Sequence, residues 1–186
     1  EATNIEKNLE FLKKIIYQAK KLEVKTIEIP FVDNSSLKSN NDKQELVTNL
    51  EKMIPLLEET QLMLALETDL DIMNLENLLN EINHPNILLN YDVGNSTSLG
   101  YDIKAEWNAL SKYFISVHVK DRKIGGSTVP LGTGDVDFKV FFDMLKKSDY
   151  SRDLIIQGAR EDLDSKKTSH IETCQKYLEF VKQYLD

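Results

Sequence analysis

A parallel α/β fold is what this sequence predicts, and three observations carry that reading. Helical and strand-like patterns alternate along the chain with almost no filler, which implies parallel pairing through right-handed crossovers. The segment LMLALE carries apolar residues on both faces, as a strand covered from both sides requires. Four strand-like segments end on a residue able to hold a divalent metal: Glu67 in LMLALETDL, Asp92 in ILLNYDVGN, His118 in FISVHVKDR and Gln157 in DLIIQGARED. Polar or glycine-containing sequence follows each of them, where a parallel α/β barrel gathers its chemistry.

Residues 4–22 place Ile5, Leu9, Leu12, Ile16 and Ala19 on one stripe of an amphipathic helix. TIEIPFV at 26–32 is a strand closed by DNSS. Leu46, Leu50, Met53 and Leu57 repeat the helical spacing over 43–60, with Pro55 expected to kink that helix because it lacks an amide donor. A strand at 62–67 and a short helix at 74–83 follow, the helix stopped by NHP because a residue before proline avoids the α region. Strands are expected at 87–92, 114–119 and 153–157, helices at 102–112 and 138–147, and a closing helix at 166–185.

That pattern gives five strands, whereas eight close a barrel in chains of about 250 residues. The chain also begins on a helix at Glu1 without an initiator methionine. The expectation is therefore one domain over 1–186, a partial barrel made of the last five strands and lacking N-terminal βα units. An open doubly wound parallel sheet is the alternative, and it too binds ligands beyond the carboxyl ends of its strands. Unpaired edges of a partial barrel would invite strand exchange, aggregation or a partner, a homo-oligomer being one such outcome.

With 186 residues, 41% hydrophobic content and a net charge of −8, the chain can bury a core and offers no basic footprint for nucleic acid. No apolar run approaches the length of a membrane helix, so no membrane partner is expected. The single cysteine, Cys174, has no internal disulfide partner, which fits the cytoplasm.

The segments IEIPFVD, LALETDL, NYDVGN, SVHVKDR, VPLGTGDVDF and LIIQGAR resemble the sugar isomerase/epimerase group with a xylose-isomerase-like TIM barrel. Its members include ketose 3-epimerases, hexulose-phosphate isomerases and inosose dehydratase. The resemblance implies a catalytic divalent metal held by Glu, Asp, His and Glu, with the first and last Glu flanking the substrate carbon. Glu67, Asp92 and His118 match the first three, and Gln157 departs from the fourth. It also implies a sugar or sugar phosphate as substrate, and isomerisation or epimerisation by proton abstraction next to a carbonyl. An oxygen-rich ligand set with one imidazole suits Mn²⁺, Mg²⁺ or Co²⁺, with Zn²⁺ also open.

Each candidate has a plainer reading. Glu67 could be a surface carboxylate at a strand end, Asp92 an Asx-turn residue, and His118 a core histidine. Gln157 can coordinate through its amide oxygen but is not a usable base at neutral pH. Catalysis then rests on Glu67 alone, and a non-catalytic metal- and sugar-binding relative is the alternative function. Asn95 stands where relatives carry a substrate-contacting His, and Lys120, Arg122 and Arg160 follow strand ends where cations could hold a phosphate or carboxylate. For Arg122 the plain reading is a surface pair with Asp121. NSTSLG at 95–100 is read as a site-lining or merely polar loop. The glycine-containing stretch GGSTVPLGTGDVDF lacks the dinucleotide fingerprint, and Asp137 is expected to cap the helix at Phe138. His84 and His170 are expected to face solvent, Trp107 and Tyr113 to pack, and the acidic run 161–165 to begin the last helix.

Overall fold

The computed structural model describes residues 2–159 and 169–185. The chain divides into two compact units, residues 1–90 and 91–186.

In the first unit, helix α1 (Ala2–Lys21) leads to strand β1 (Thr26–Phe31), a single 3-10 turn at Asp33–Ser35, helices α2 (Asn40–Glu51) and α3 (Ile54–Thr60), strand β2 (Met63–Thr68), helix α4 (Ile72–Ile82) and strand β3 (Ile87–Asp92) as far as Asn90. The sheet order is β1-β2-β3, with both pairings parallel. Ile16, Met53, Leu57, Leu64 and Leu66 are fully buried between helices and sheet. The expected 43–60 helix is in fact two. Pro55 falls in the first turn of α3, where its missing amide has no partner to lose, so it starts a helix instead of kinking one. Helix α2 opens on a capping box in which Ser39 and Asp42 satisfy each other's backbone amides. Asp71 caps α4 by accepting from Asn74, which begins that helix earlier than the apolar spacing indicates.

The second unit takes up β3 at Tyr91. It continues through helices α5 (Val93–Ser98) and α6 (Ile103–Leu110), a 3-10 turn at Ser111–Tyr113, strand β4 (Phe114–Val119), a two-stranded antiparallel ribbon of β5 (Asp121–Arg122) and β6 (Thr128–Val129), helix α7 (Phe138–Lys147), strand β7 (Leu154–Ile156) and helix α8 (His170–Leu185). Its sheet order is β3-β4-β7, with β4 and β7 parallel. In each unit the strand order follows the chain, without the reversal that marks a doubly wound sheet.

An aromatic cluster forms the second core. The Tyr91 ring stacks on Phe114 at 4.7 Å, and Trp107 meets Tyr91, Phe114 and Phe141 edge-on. Trp107 is thus a packing residue as expected, and Tyr113 is half-buried beneath the Lys112 ammonium. Asp137 caps α7, accepting from Val140.

His170 is exposed, but His84 is not: only 11% of its side chain is open, Glu58 lies 3.3 Å from Nε2, and the Asn86 amide donates to Nδ1. No described helix is long and apolar enough to cross a membrane.

Candidate functional site

In the first unit, three polar side chains gather on the sheet: Glu28 midway along β1, Glu67 near the carboxyl end of β2 and Asn90 of β3. Glu67 is the fifth residue of β2, flanked on the strand by apolar Leu66, and is buried. The register pairs Glu28 of β1 with Ala65 of β2. Because side chains two apart share a face, Glu28 and Glu67 project from the same side of the sheet. A Glu28 carboxylate oxygen lies within 4.8 Å of one from Glu67. Asn90 of β3 donates to Glu67 Oε2 at 3.3 Å, fixing the carboxylate. A buried carboxylate held this way keeps lone pairs for a hard cation or a proton. Among these, only Glu67 was singled out by the sequence. Glu28 gave a signal, a charged residue between two isoleucines inside a strand pattern, and Asn90 gave one two residues before Asp92.

The second unit places Asp92, Asn95, His118, Lys120 and Arg122 in one connected cluster. Asp92 is not a loop residue. It ends β3 and caps α5, with Oδ1 accepting from the Asn95 amide at 2.8 Å, so the stretch taken for a polar loop is helical over its first residues. Its Oδ2 lies 3.2 Å from Lys120 Nζ and 3.7 Å from His118 Nδ1. Helix α5 can approach the strand exit because residue 94 is glycine: a Cβ there would sit 2.9 Å from the Lys120 backbone oxygen. The carboxamide of Asn95 then accepts from both cations through Oδ1, from Lys120 Nζ at 3.0 Å and Arg122 Nη1 at 2.8 Å. Arg122 also donates through Nε and Nη2 to the Gly126 carbonyl, the fork geometry that fits carboxylates and phosphates.

Arg122 makes no surface pair with Asp121. Asp121 is 1% exposed and accepts the backbone amides of Gly132, Gly134 and Val136, folding the glycine-containing segment around its carboxylate. That role depends on residues up to 15 positions away, and no local pattern announces it.

Gln157 follows β7 and is exposed, and its backbone amide donates to Val119 at 3.0 Å. His118 is in register with Ile155, so His118, Ile155 and Gln157 share one face. Arg160 and the acidic run 161–165 lie outside the described residues.

The donor types fit a divalent cation. The first unit supplies adjacent carboxylates, and the second an imidazole nitrogen beside a carboxylate oxygen.

A family model described as "Xylose isomerase-like TIM barrel" matches residues 1–177. L-ribulose-5-phosphate 3-epimerase UlaE of Shigella flexneri serotype 5b (strain 8401) is 28% identical over 173 residues, covering 89% of this chain and 61% of that protein. The chain thus spans less than two thirds of the length of that curated relative. Among solved structures, the IolI protein with a bound zinc atom aligns with a TM-score of 0.75 at 21% identity, covering 92% of this chain and 68% of its own. D-allulose 3-epimerase from Methylomonas sp. in complex with D-allulose aligns with a TM-score of 0.76 at 20% identity, covering 99% and 71%. At these identities the likeness to the solved structures is one of fold.

Proposed function

Because the chain belongs to the xylose isomerase-like TIM-barrel family, we propose that it is a metal-dependent isomerase or epimerase of a sugar or sugar phosphate. The reaction is proton abstraction next to a carbonyl, through an enediolate. The observation that carries this reading is Glu67, a buried carboxylate at a strand end, oriented by Asn90 with Glu28 alongside. The curated relative named for L-ribulose 5-phosphate supports a phosphorylated ketose as the first substrate to test.

Glu67, Asp92, His118 and Gln157 would hold the metal, with Glu28 a further carboxylate beside Glu67. Hard oxygen donors favour Mn²⁺, Mg²⁺ or Co²⁺, and the imidazole keeps Zn²⁺ compatible. A metal held there would supply a Lewis acid for the substrate carbonyl and the neighbouring hydroxyl. Glu67 takes the proton from the hydroxyl-bearing carbon next to the carbonyl and delivers it to the carbonyl carbon, while the hydroxyl proton passes to the former carbonyl oxygen. Asn90 holds Glu67 in place while it does so. Lys120, Arg122 and Arg160 meet the substrate's phosphate, and Asn95 keeps Lys120 and Arg122 together. Gln157 orients the substrate without exchanging a proton, because an amide is no base at neutral pH. One base working on one face suits an aldose–ketose isomerisation better than an epimerisation that needs bases on two faces. A reducing cytoplasm is the matching compartment, given the lone Cys174.

The exposed amide of Gln157 favours one competing reading, a metal- and sugar-binding protein without turnover. Incubating the protein with Mn²⁺ and L-ribulose 5-phosphate or D-allulose in D₂O separates the two. Deuterium on the carbon beside the carbonyl is the expected result. Sugar binding without any deuterium uptake would sink the enzymatic reading in favour of the binding one.

A further inference from the structure

Behind the cation cluster lies a second polar network with no place in the proposed chemistry. Glu106, on α6, is 5% exposed. Its carboxylate accepts the Ser96 hydroxyl at 2.6 Å to Oε1 and 2.7 Å to Oε2, and the Tyr91 hydroxyl at 3.0 Å to Oε2. Ser96 lies next to Asn95 in α5, and Tyr91 precedes Asp92 in β3. The Tyr91 ring packs against both Phe114 and Trp107, so its hydroxyl gives Glu106 a fixed point in the core. Burying a carboxylate is unfavourable unless its oxygens are bonded, and an apolar residue would fill the same space at lower cost. Burial accordingly pushes the Glu106 carboxyl above its usual range, while Ser96 and Tyr91 pull it back down and nearby Asp102 adds to the rise.

We infer that Glu106 is a positioning residue: through Ser96 it sets the turn of α5 that presents Asn95, and so fixes where the Lys120 ammonium and Arg122 guanidinium are held together. Its importance for a substrate rests on the reading of those cations as phosphate contacts, but the linkage itself stands on geometry. Asn95 has its amide on Asp92 and its carbonyl oxygen under both cations. A small rotation of α5 would move that oxygen away from Arg122 Nη1, and the guanidinium would keep only Gly126 as an anchor. The carboxylate on α6 is what resists that rotation, because both its oxygens grip the one hydroxyl.

The test reads Arg122 directly, in ¹⁵N-labelled protein at low temperature, as the solvent exchange rate of its Nη1 hydrogens, which bond to Asn95, the resonance being assigned by its loss in Arg122→Lys. Ser96→Ala and Glu106→Ala are expected to speed that exchange about tenfold, the scale of one lost hydrogen bond. Glu106→Gln, which keeps an acceptor oxygen and the side-chain shape, is expected to restore most of the protection. Exchange within twofold of wild type in Ser96→Ala, or no rescue by Glu106→Gln relative to Glu106→Ala, overturns the inference. Should Glu106→Ala not fold, Ser96→Ala decides alone. Failure of the deuterium experiment on the wild-type protein would remove the proposed reaction and leave this measurement intact, so the two ideas fall separately.

Discussion

Gly134 and the carboxylate of Asp121 are in such close contact that a Cβ at position 134 would run into Oδ1. Asp121 also receives the amides of Gly132, Gly134 and Val136, so the loop is wrapped on a buried anion. Asp121→Ala strands those donors and is expected to lower stability by about 3 kcal/mol. Gly134→Ala forces the loop off the carboxylate, and about 2 kcal/mol is expected. Urea unfolding, with amide exchange at Gly132 and Gly134, measures both, and unchanged midpoints would refute the anchoring role.

Gln157→Glu tests what the departure at that position does. If the amide is what deprives the site of a second base, a carboxylate there should raise 3-epimerisation of a ketose by on the order of 100-fold. Chiral chromatography of the product mixture measures it. No gain would mean that position 157 does not face the reacting carbon.

Glu67→Gln removes the proposed base while keeping the Asn90 contact feasible. Deuterium uptake by the substrate should fall on the order of 1,000-fold. Asp92→Ala should weaken Mn²⁺ binding, read by titration calorimetry. Retention of full exchange in Glu67→Gln would assign the base elsewhere.

Glu106 predicts a pH dependence of stability with a definite sign. Its carboxyl is raised in the folded protein from an ordinary value of 4.5, chiefly by burial. Between that value and the raised one the native state binds more protons than the unfolded chain, so this group's contribution falls as pH rises through the window. The groups facing it are Tyr91, Ser96 and Asp102. Thermal unfolding of wild type and Glu106→Gln across the acidic range should therefore diverge, the wild type losing ground to the variant toward neutral pH. Parallel profiles would contradict a raised carboxyl.

Trp107→Ala should cost about 4 kcal/mol, the range of large aromatic truncations in a core. Trp107 is 2% exposed and touches four other rings, including Tyr150 at 6.2 Å. Guanidinium unfolding reads this, and a loss under about 1 kcal/mol would mean the cluster repacks.

The elements legible in the sequence are those with strong periodicity and a local cap. Strands 87–92 and 114–119 and the helix after Asp137 fall where apolar runs and the capping carboxylate place them. Helix α5 was not legible, because VGNSTS has poor intrinsic helix propensity and owes its turn to the Asp92 cap and the Glu106–Ser96 bond. Glu67, Asp92 and His118 were legible as polar residues at or near strand ends, and all three are buried. Glu28 was missed because its relation to Glu67 depends on register between β1 and β2, and Asp121 because its partners arrive from a distant loop.

Helix α8 packs on α7 through Phe180 and Tyr184 and leaves Cys174 exposed. A chain with a single accessible thiol takes one maleimide and yields one chemical product. A dye there would report on helix α8, which also places Tyr177 against Gly158, giving an optical handle on how the end of the sheet is covered.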